Sequence, residues 1–369
     1  MATASENSNA PETTERIRRK LLAWYRANRR NLPWRGMTDP YRIWLSEVML
    51  QQTRVETVRP YFRRFLKTFP TISDLAAADP EMVLKMWEGL GYYARARNFH
   101  AAARRVATEC GGRVPDRMAD FRKLPGVGEY IGAAVMSIAF GQTHAAVDGN
   151  AKRVLARLFR VEPSVNSSSA GTVFRELAQS LLDPEDPGDW NQAVMELGAT
   201  ICAPRNPACP ECPLSGDCRA FRDGAAEAYP RREKKKPIPL RVESAGVLWR
   251  EERIFVFRRP PRGLLGGLWE IPAVPPARND TPHAALSRRY RDEFGIGPIL
   301  VSKYPGTIRH AYTHFRLELH AFRCIYTGEA PLPEDGETIR WIDPRDPGDL
   351  PFHGAALKML ALLGKFVGG

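Results

Sequence analysis

Four cysteines lie within seventeen residues of this chain, and they constrain its fold more than any other feature. Cys202, Cys209, Cys212 and Cys218 are separated by six, two and five residues. Four thiolates suit either a tetrahedral zinc ion or an iron–sulfur cluster. Structural zinc sites usually pair two short C-x-x-C knuckles across a longer gap, whereas here a single C-x-x-C lies inside one continuous wrap. The spacing favours one compact iron–sulfur cluster, and zinc or no metal remain alternatives.

The chain is strongly basic, which bears on its partners. It carries 54 Lys and Arg against 42 Asp and Glu, a net charge of +12. Such an excess favours a polyanion, either nucleic acid or an anionic membrane surface. No run of eighteen apolar residues occurs, so no membrane span is expected. The polar first residues lack the pattern of a secretion signal, which predicts a cytoplasmic, reducing location where clustered cysteines are more often metal ligands than disulfides.

The length of 369 residues predicts two or three domains. We expect a disordered lead-in over 1–12, a helical domain over 13–222, a charged and proline-bearing linker over 223–241, and a smaller α+β domain over 242–369. Asp39-Pro40 and Asp79-Pro80 are predicted helix starts. Strands are predicted at AGVLW, RIFVFRR, FRLELHAFRCIY and ETIRWI, with helices near 283–294 and 353–366.

A glycine-bearing turn at 124–128, LPGVG, joins two predicted helices. Gly126 and Gly128, with Val127 between them, let the backbone approach a ligand closely and expose amides at the start of the next helix. This pattern suits a DNA phosphate. Taken alone, it is equally compatible with a helix-joining turn that binds nothing.

The turn, the VDGN stretch at 147–150 and the C-x6-C-x2-C-x5-C loop together resemble the helix-hairpin-helix DNA glycosylases of the endonuclease III superfamily. The resemblance covers about residues 15–222, with the motifs in family order. It implies an all-α domain with a six-helix barrel at about 34–142 and an iron–sulfur module built from the N-terminal helix and 143–222. It also implies that the four cysteines hold a [4Fe–4S] cluster.

Two positions indicate the branch of that superfamily. Tyr130 stands where the bifunctional branch has a lysine whose amine forms a Schiff base, and a phenol cannot form an imine. Glu47, in SEVMLQQT, resembles the adenine-removing MutY branch, as do LPWR at 32–35 and GLGYYARARN at 89–98. The resemblance implies a monomeric, monofunctional enzyme of base excision repair that removes adenine opposite 8-oxoguanine or guanine in duplex DNA.

Glu47 is expected on one helix face with Ile43, Leu50 and Arg54. A carboxyl on a largely apolar stripe has a raised pKa and can act as an acid near neutral pH; a surface glutamate, or one paired with Arg54, is the alternative. Asp148 is by itself a turn former or N-cap, and the resemblance makes it the second catalytic carboxylate. The resemblance also implies that Tyr130 and Asn150 support the pair.

The resemblance supplies two further groups of residues. The DNA-binding group comprises Gln52, Leu90 and Tyr92 together with the hairpin residues Gly126, Val127 and Gly128. The adenine pocket comprises Leu32, Trp34, Arg35, Gln192 and Glu196. Gln192 and Glu196 lie one helical turn apart, so they could face one base edge; an ordinary polar helix surface is the alternative.

Residues 242–369 resemble the Nudix-like C-terminal domain of the same family, through GGLWEIP and RRYRDEFGI. A working Nudix helix needs glutamates that hold magnesium, but Arg289 and Asp292 replace two of them and only Glu293 remains. A cation at a ligand position repels magnesium, so no pyrophosphatase activity is expected. In the family a Phe-Ser-His loop checks the opposite strand for 8-oxoguanine; here the loop is Tyr312, Thr313 and His314, whose extra hydroxyl and methyl alter the grip.

Three other functions compete with the adenine glycosylase. One is an endonuclease III-like glycosylase and lyase acting on oxidised pyrimidines. Tyr130 and Glu47 disfavour this function. Another is a non-catalytic iron–sulfur protein that only binds DNA. The third, a nucleotide pyrophosphatase, is disfavoured by the missing carboxylates.

Overall fold

A computed structural model describes residues 10–167, 170–233, 237–276 and 280–366. The described residues of Met1–Ala77 and Ala101–Lys235 form one compact unit, and those of Ala78–His100 and Lys236–Gly369 form another. Of the predicted disordered lead-in, residues 1–9 lie outside the described residues. Residues 10–12 are instead helical, because the first helix begins at Ala10.

Within the described residues the chain forms fourteen α-helices and seven β-strands. In chain order the helices are α1 (Ala10–Asn28), α2 (Pro40–Leu50), α3 (Val55–Thr68), α4 (Ile72–Ala77), α5 (Pro80–Met86), α6 (Ala94–Glu109), α7 (Met118–Phe121), α8 (Glu129–Phe140), α9 (Gly149–Phe159), α10 (Ala170–Leu181), α11 (Pro187–Thr200), α12 (Arg219–Arg222), α13 (Pro282–Phe294) and α14 (Gly354–Leu363). The strands are β1 (Leu240–Arg250), β2 (Arg253–Arg258), β3 (Trp269–Glu270), β4 (Ala273–Val274), β5 (Ile299–Ala311), β6 (Arg316–Tyr326) and β7 (Ile339–Ile342). None of these helices combines the length and apolar character needed to cross a bilayer.

Helix α2 begins where the sequence predicted. The Asp39 side chain accepts hydrogen bonds from the amides of Tyr41 and Arg42, and Pro40 occupies the first helical position. Asp79 and Pro80 start α5 in the same way. Almost every residue of α2 from Tyr41 to Met49 is buried, so the helix carries Glu47 into the interior.

A core of the first unit is built from the apolar faces of α1, α9, α10 and α11. Ile17, Leu21 and Tyr25 of α1 pack with Leu155, Phe174 and Trp190 of the later helices. Tyr229, predicted to lie in the linker, is 1% exposed and belongs to this core. The Arg231 carbonyl likewise accepts from the amide of Val165 at 3.0 Å. Since β1 begins at Leu240, the stretch that connects the units is shorter than the predicted 223–241, and residues 234–236 of it lie outside the described residues.

The second unit is built on a mixed sheet whose main order is β3-β2-β1-β6-β5. Strand β1 runs parallel to β6, and β2, β4 and β7 extend the sheet through antiparallel pairs. The predicted strands at β1, β2, β6 and β7 and the helices α13 and α14 are confirmed. The long strand β5 was not predicted, because Pro305 and Gly306 interrupt its pattern; the strand tolerates them through a register shift between Lys303 and Thr307.

Residues 78–100, which the prediction assigns to the helical domain, also pack with the sheet of the second unit. Glu81 of α5 accepts from the Trp269 indole nitrogen at 2.8 Å, and the Arg97 guanidinium donates to the Gly266 carbonyl at 2.9 Å. The Tyr93 hydroxyl donates to the Phe352 carbonyl at 3.0 Å. The GLGYY loop at 89–93 is therefore held by residues of the C-terminal part of the chain.

Candidate active site

Glu47 and Tyr130 form a buried hydrogen-bonded pair. The Glu47 side chain is 6% exposed, and the Tyr130 hydroxyl donates to its Oε2 at 2.5 Å. Helix α2 supplies the carboxyl, and the first turn of α8, directly after the hairpin, supplies the phenol. Among the described ion pairs, none joins Glu47 to Arg54. The alternatives of a surface glutamate and of an Arg54 partner therefore do not describe this carboxyl.

Asp148 caps helix α9 and is held by donors on both oxygens. Its Oδ1 accepts from the Ala151 amide at 2.7 Å, and its Oδ2 accepts from the Asn150 side chain at 2.8 Å. Arg153 donates in turn to Asn150 Oδ1 at 2.9 Å and to the carbonyls of Gly198 and Cys202 at 2.6 and 2.7 Å. Asp148 is therefore both an N-cap, as the sequence alone allowed, and one end of a chain of hydrogen bonds that reaches the cysteine loop.

Burial raises the pKa of both Glu47 and Asp148. Burial raises the pKa of Glu47, the Tyr130 hydrogen bond and the Arg35 charge offset part of that rise, and the Asp148 charge adds to it. Burial also raises the pKa of Asp148, and the Ala151 and Asn150 donors offset part of it. Amide donors favour an ionised carboxylate. Burial therefore raises the pKa of both carboxyls, and each has hydrogen-bond donors that offset part of the rise. A raised pKa is what a carboxyl needs to act as a general acid near neutral pH.

The predicted adenine-pocket residues meet through an arginine cluster. Arg35 donates to the Gln192 side-chain oxygen, to Glu196 Oε2 at 2.9 Å and to the Tyr25 hydroxyl at 3.0 Å. Arg30, which the sequence did not single out, binds both Glu196 oxygens at 2.6 and 3.0 Å. Burial alone would raise the pKa of Glu196, but the Arg30 hydrogen bond and the Arg35 charge lower it.

Glu196 therefore differs from the expectation that it could face a base edge, because its oxygens hold the two arginines. Arg35 keeps one hydrogen-bond donor unpaired, because its buried Nε–H has no partner within the described residues. Leu32 and Trp34, each 5% exposed, are the apolar members of the predicted pocket, and Trp34 stacks edge-on against Phe62 at 5.4 Å.

The predicted hairpin lies between α7 and α8. Gly126 has φ of +78°, a left-handed conformation that glycine adopts without strain. Gly128 is the N-cap of α8 and supplies no side-chain cap, and a Cβ added there would meet no atom within 4 Å. Val127 is buried between the two glycines. The first amides of α8 thus remain without a side-chain acceptor, as phosphate binding requires.

Gln52 and Tyr92, two of the predicted DNA-binding residues, share an unusual backbone. Both are exposed and have positive φ, +57° and +49°. Residues other than glycine rarely adopt a positive φ. Backbone strain of this kind is often found at functional sites. Leu90, from the same prediction, differs because it is only 6% exposed, so its side chain is not presented on the surface.

The predicted lesion-recognition residues form the turn between β5 and β6. The Tyr312 amide donates to the Phe315 carbonyl at 2.9 Å, which closes the turn. Thr313 and His314 are exposed, whereas Tyr312 is half-buried. The Thr313 and Tyr92 hydroxyls lie 2.5 Å apart within the second unit. The structure thus brings together one residue of the GLGYY loop and one of the lesion turn.

The four clustered cysteines line a single cavity, together with Arg157 and Phe221. Arg157, 2% exposed, donates to Cys202 Sγ at 3.2 Å and to the carbonyls of Ala203 and Pro204 at 2.7 and 3.2 Å. Asp217, beside Cys218, is held by Arg16 and Lys20 of α1. Across the described residues, no three or more His, Cys, Asp or Glu side chains are grouped so that they could hold one metal ion.

The residues of α13 at the Nudix ligand positions are engaged in contacts within the second unit. Arg289 Nε lies 3.2 Å from Glu293 Oε2, and the same guanidinium donates to the Ala273 carbonyl. Asp292 is paired with its neighbour Arg291 at 2.9 Å. Glu293, the carboxylate that remains of the predicted magnesium ligands, is therefore paired with Arg289, which stands at the position of another.

Sequence reasoning missed Arg30, Arg153 and Arg157. Arg153 and Arg157 follow Asn150 by three and seven residues, so they share its helix face, and that spacing could have drawn attention to them. Arg30 gave no comparable signal, because its partner Glu196 lies 166 residues away in the chain.

Comparisons with known proteins bear on both units. Residues 45–180 match the family described as the HhH-GPD superfamily base excision DNA repair protein, and residues 244–362 match the NUDIX domain. The chain is 34% identical to the adenine DNA glycosylase of Homo sapiens, over 92% of this chain and 72% of that protein. It is 36% identical to the adenine DNA glycosylase of Buchnera aphidicola subsp. Schizaphis graminum, over 93% and 97%.

Among solved structures, that of a thermostable thymine-DNA glycosylase is similar to 58% of this chain and to 100% of its own length. The identity is 31% and the TM-score is 0.54. The predicted fold class, an all-α helix-hairpin-helix glycosylase domain followed by an α+β Nudix-like domain, is confirmed by these matches.

Proposed function

The chain belongs to the adenine DNA glycosylase family, and from that premise we propose that it hydrolyses the N-glycosidic bond of adenine paired with 8-oxoguanine or guanine in duplex DNA. The observation that carries the proposal is the buried Glu47 carboxyl, hydrogen-bonded to Tyr130 and placed in the field of Asp148. The enzyme is monofunctional, because Tyr130 has no amine with which to attack the sugar.

The reaction begins when the target adenine leaves the base stack, since the glycosidic bond is not accessible inside a duplex. Protonated Glu47 then transfers its proton to the purine, at N7, so that adenine departs as a neutral molecule. The bond between C1′ and N9 breaks with its electron pair going to the base. Positive charge develops on the sugar, and the ionised Asp148 stabilises it.

Water completes the reaction at C1′. The Glu47 carboxylate takes a proton from the attacking water and returns to its acid form. Tyr130 orients Glu47 through the 2.5 Å hydrogen bond, and Asn150 holds Asp148. Each positioned acid or base is worth about a hundred- to ten-thousand-fold in rate.

Adenine is selected by the pocket of Leu32, Trp34, Arg35, Gln192 and Glu196. In this proposal Arg35 is the contact with the base, because its buried Nε–H lacks a partner in the part of the chain that the structure describes. Glu196 and Gln192 hold the Arg35 guanidinium in place. A buried donor that only the correct ligand satisfies gives strong discrimination, since a wrong base leaves it unpaired.

Backbone and strand contacts come from three places. The α8 amides after Gly126, Val127 and Gly128 bind a DNA phosphate. Gln52 and Tyr92 enter the space that the extruded base leaves, supported by their exposure and strained backbone. Thr313, with Tyr312 and His314 beside it, reads the opposite base for 8-oxoguanine.

Cys202, Cys209, Cys212 and Cys218 hold a [4Fe–4S] cluster in this proposal. One feature supports a shared metal centre: all four cysteines line one cavity, and four thiolates are the ligand set of a [4Fe–4S] cluster. Cysteine thiolates bound to such a cluster would tie the loop together covalently. Arg157 and Asp217 fix that loop to α9 and α1.

We further propose that the enzyme works as a monomer in the compartment that holds the DNA, the cytoplasm and nucleoid in a bacterium. The test is one assay on matched duplexes with A opposite 8-oxoguanine, G or C, and with T opposite G. Free adenine and alkali-dependent strand breaks are expected from the first two. Breaks without alkali, borohydride trapping, or binding without any base release would contradict the proposal.

A further inference from the structure

Tyr312 carries a hydroxyl that a phenylalanine at this position would lack, and the structure gives that hydroxyl an internal partner. The Tyr312 hydroxyl lies 3.1 Å from Nδ1 of His353. His353 is 6% exposed and is the N-cap of α14, where its side chain accepts from the Ala356 amide at 3.3 Å. The hydroxyl is thus directed into the protein, away from the exposed side of the turn.

The hydrogen-bond partners of His353 assign its tautomer. Nε2 lies 3.2 Å from Oε2 of Glu270, a carboxylate that accepts but cannot donate. Glu270 is 8% exposed and its Oε1 accepts from Arg259 at 2.6 Å; burial alone would raise its pKa, but the His353 hydrogen bond and the Arg259 charge lower it. Nε2 therefore carries the proton, and the single lone pair of Nδ1 is shared by the Tyr312 hydroxyl at 3.1 Å and the Ala356 amide at 3.3 Å. Every donor in the chain Tyr312–His353–Glu270–Arg259 has an acceptor.

The same short segment also supports the GLGYY loop. The Phe352 carbonyl accepts from the Tyr93 hydroxyl at 3.0 Å, and the Phe352 amide donates to Glu88 at 2.8 Å. Residues 352–353 thus contact the neighbours of both Tyr92 and Thr313, whose hydroxyls lie 2.5 Å apart. A support shared by two loops fixes their relative position.

From these contacts we propose that His353 is a positioning residue for lesion recognition, which anchors Tyr312 so that Thr313, held beside Tyr92, presents the hydroxyl that reads the base opposite adenine. The inference rests on the proposed function. Because its hydroxyl is bound to His353, Tyr312 offers only its aromatic ring to DNA, as a phenylalanine would. This hydrogen bond also explains how a turn with an added phenolic hydroxyl can keep a single exposed reading group.

The test measures binding by the full-length protein, so it does not depend on base release. Duplexes carry 8-oxoguanine or guanine opposite a tetrahydrofuran abasic analogue, and the ratio of the two dissociation constants is the preference for the lesion. We expect His353→Leu and Tyr312→Phe each to reduce this ratio about fivefold, the size expected for one lost hydrogen bond. The double variant should lose no more than either single variant, because both break one link.

Two further variants separate positioning from general damage. His353→Asn keeps an N-cap acceptor for α14 but cannot reach Glu270, and it should still reduce the ratio. His283→Leu changes an exposed histidine of α13 in the same unit and should leave it unchanged. An unchanged ratio in His353→Leu, an equal loss of affinity for both duplexes, or a reduction in Tyr312→Phe alone would overturn the inference.

The two proposals fail in different ways. If the parent protein prefers the lesion duplex and His353→Leu reduces that preference, while no adenine is released from any duplex, the proposed function fails and the positioning role stands. If adenine is released normally and the preference does not respond to His353, the positioning role fails and the proposed function stands.

Discussion

The Tyr130 hydroxyl donates a 2.5 Å hydrogen bond to Oε2 of Glu47, across 83 residues of sequence. The contact joins the two positions that distinguish this chain from a bifunctional glycosylase. The residue that lacks a nucleophilic amine is also the one that orients the acid and offsets part of the rise in its pKa. In the proposed reaction, one side chain therefore bears on both strand cleavage and proton transfer.

Glu47→Gln should reduce single-turnover adenine release by about a hundred- to ten-thousand-fold, because an amide cannot supply the proton. Binding to the mispaired duplex should be nearly unchanged, since the substitution is isosteric. Glu56→Gln on α3, an exposed glutamate, is the matched control and should behave as the parent. A Glu47→Gln rate comparable to the parent's would remove Glu47 from this role.

The same variant should be more stable than the parent at neutral pH. Burial raises the folded-state pKa of Glu47 above its unfolded value, so the folded state binds more protons between the two values and stability falls as pH rises through that window. Gln does not titrate, so the gain in melting temperature should appear at pH 7 and vanish below about pH 4. A gain in melting temperature that does not change with pH would show that it does not arise from the titration of Glu47.

Tyr130→Phe should shift the pH dependence of adenine release. The Tyr130 hydrogen bond lowers the pKa of Glu47, so its removal leaves a higher pKa. The rate should then begin to fall at a higher pH than in the parent, although the maximum rate is reduced because Glu47 is less well oriented. Single-turnover rates between about pH 5 and 9 check this. A falling limb that stays in place or moves to lower pH would contradict it.

Gly198→Ala, on α11, should disturb the candidate active site by pushing against Asn150 of α9. A Cβ at Gly198 would lie 2.6 Å from Cβ and 3.1 Å from Cα of Asn150, so α11 or Asn150 must move. We expect a loss of about 1–3 kcal/mol in the free energy of unfolding and slower adenine release, because Asn150 holds Asp148. Gly171→Ala in α10, where the nearest atom is 3.5 Å away, is the control and should be neutral or stabilising.

Metal analysis should find roughly four irons per chain, with visible absorbance that disappears in Cys212→Ser. Cys110→Ser should keep both, because Cys110 lies outside the cavity that the four clustered cysteines line. Arg157→Leu should also lose iron, since Arg157 ties Cys202, Ala203 and Pro204 to α9. One zinc per chain would replace the cluster by a structural zinc site and leave the rest of the mechanism in place.

Local signals in the sequence determined much of this protein. The Asp39-Pro40 pair starts α2, the apolar pattern of α2 buries Glu47, and two glycines shape the hairpin before α8. The segments AGVLW, RIFVFRR and FRLELHAFRCIY predicted β1, β2 and β6. These features depend on neighbours within a few residues, so the order of the residues is enough to specify them.

Only the tertiary structure decided which distant groups meet. Glu196 was expected to face a base, but its oxygens bind Arg30 and Arg35. Residues 78–100, predicted in the helical domain, also pack with the C-terminal sheet. The Tyr312 hydroxyl has its partner in His353, 41 residues further along the chain. Hydrogen-bond partners 41 to 259 residues apart leave no periodicity in the chain. Their pairing is set by packing, where a buried donor or acceptor left without a partner costs about as much as several ordinary contacts gain.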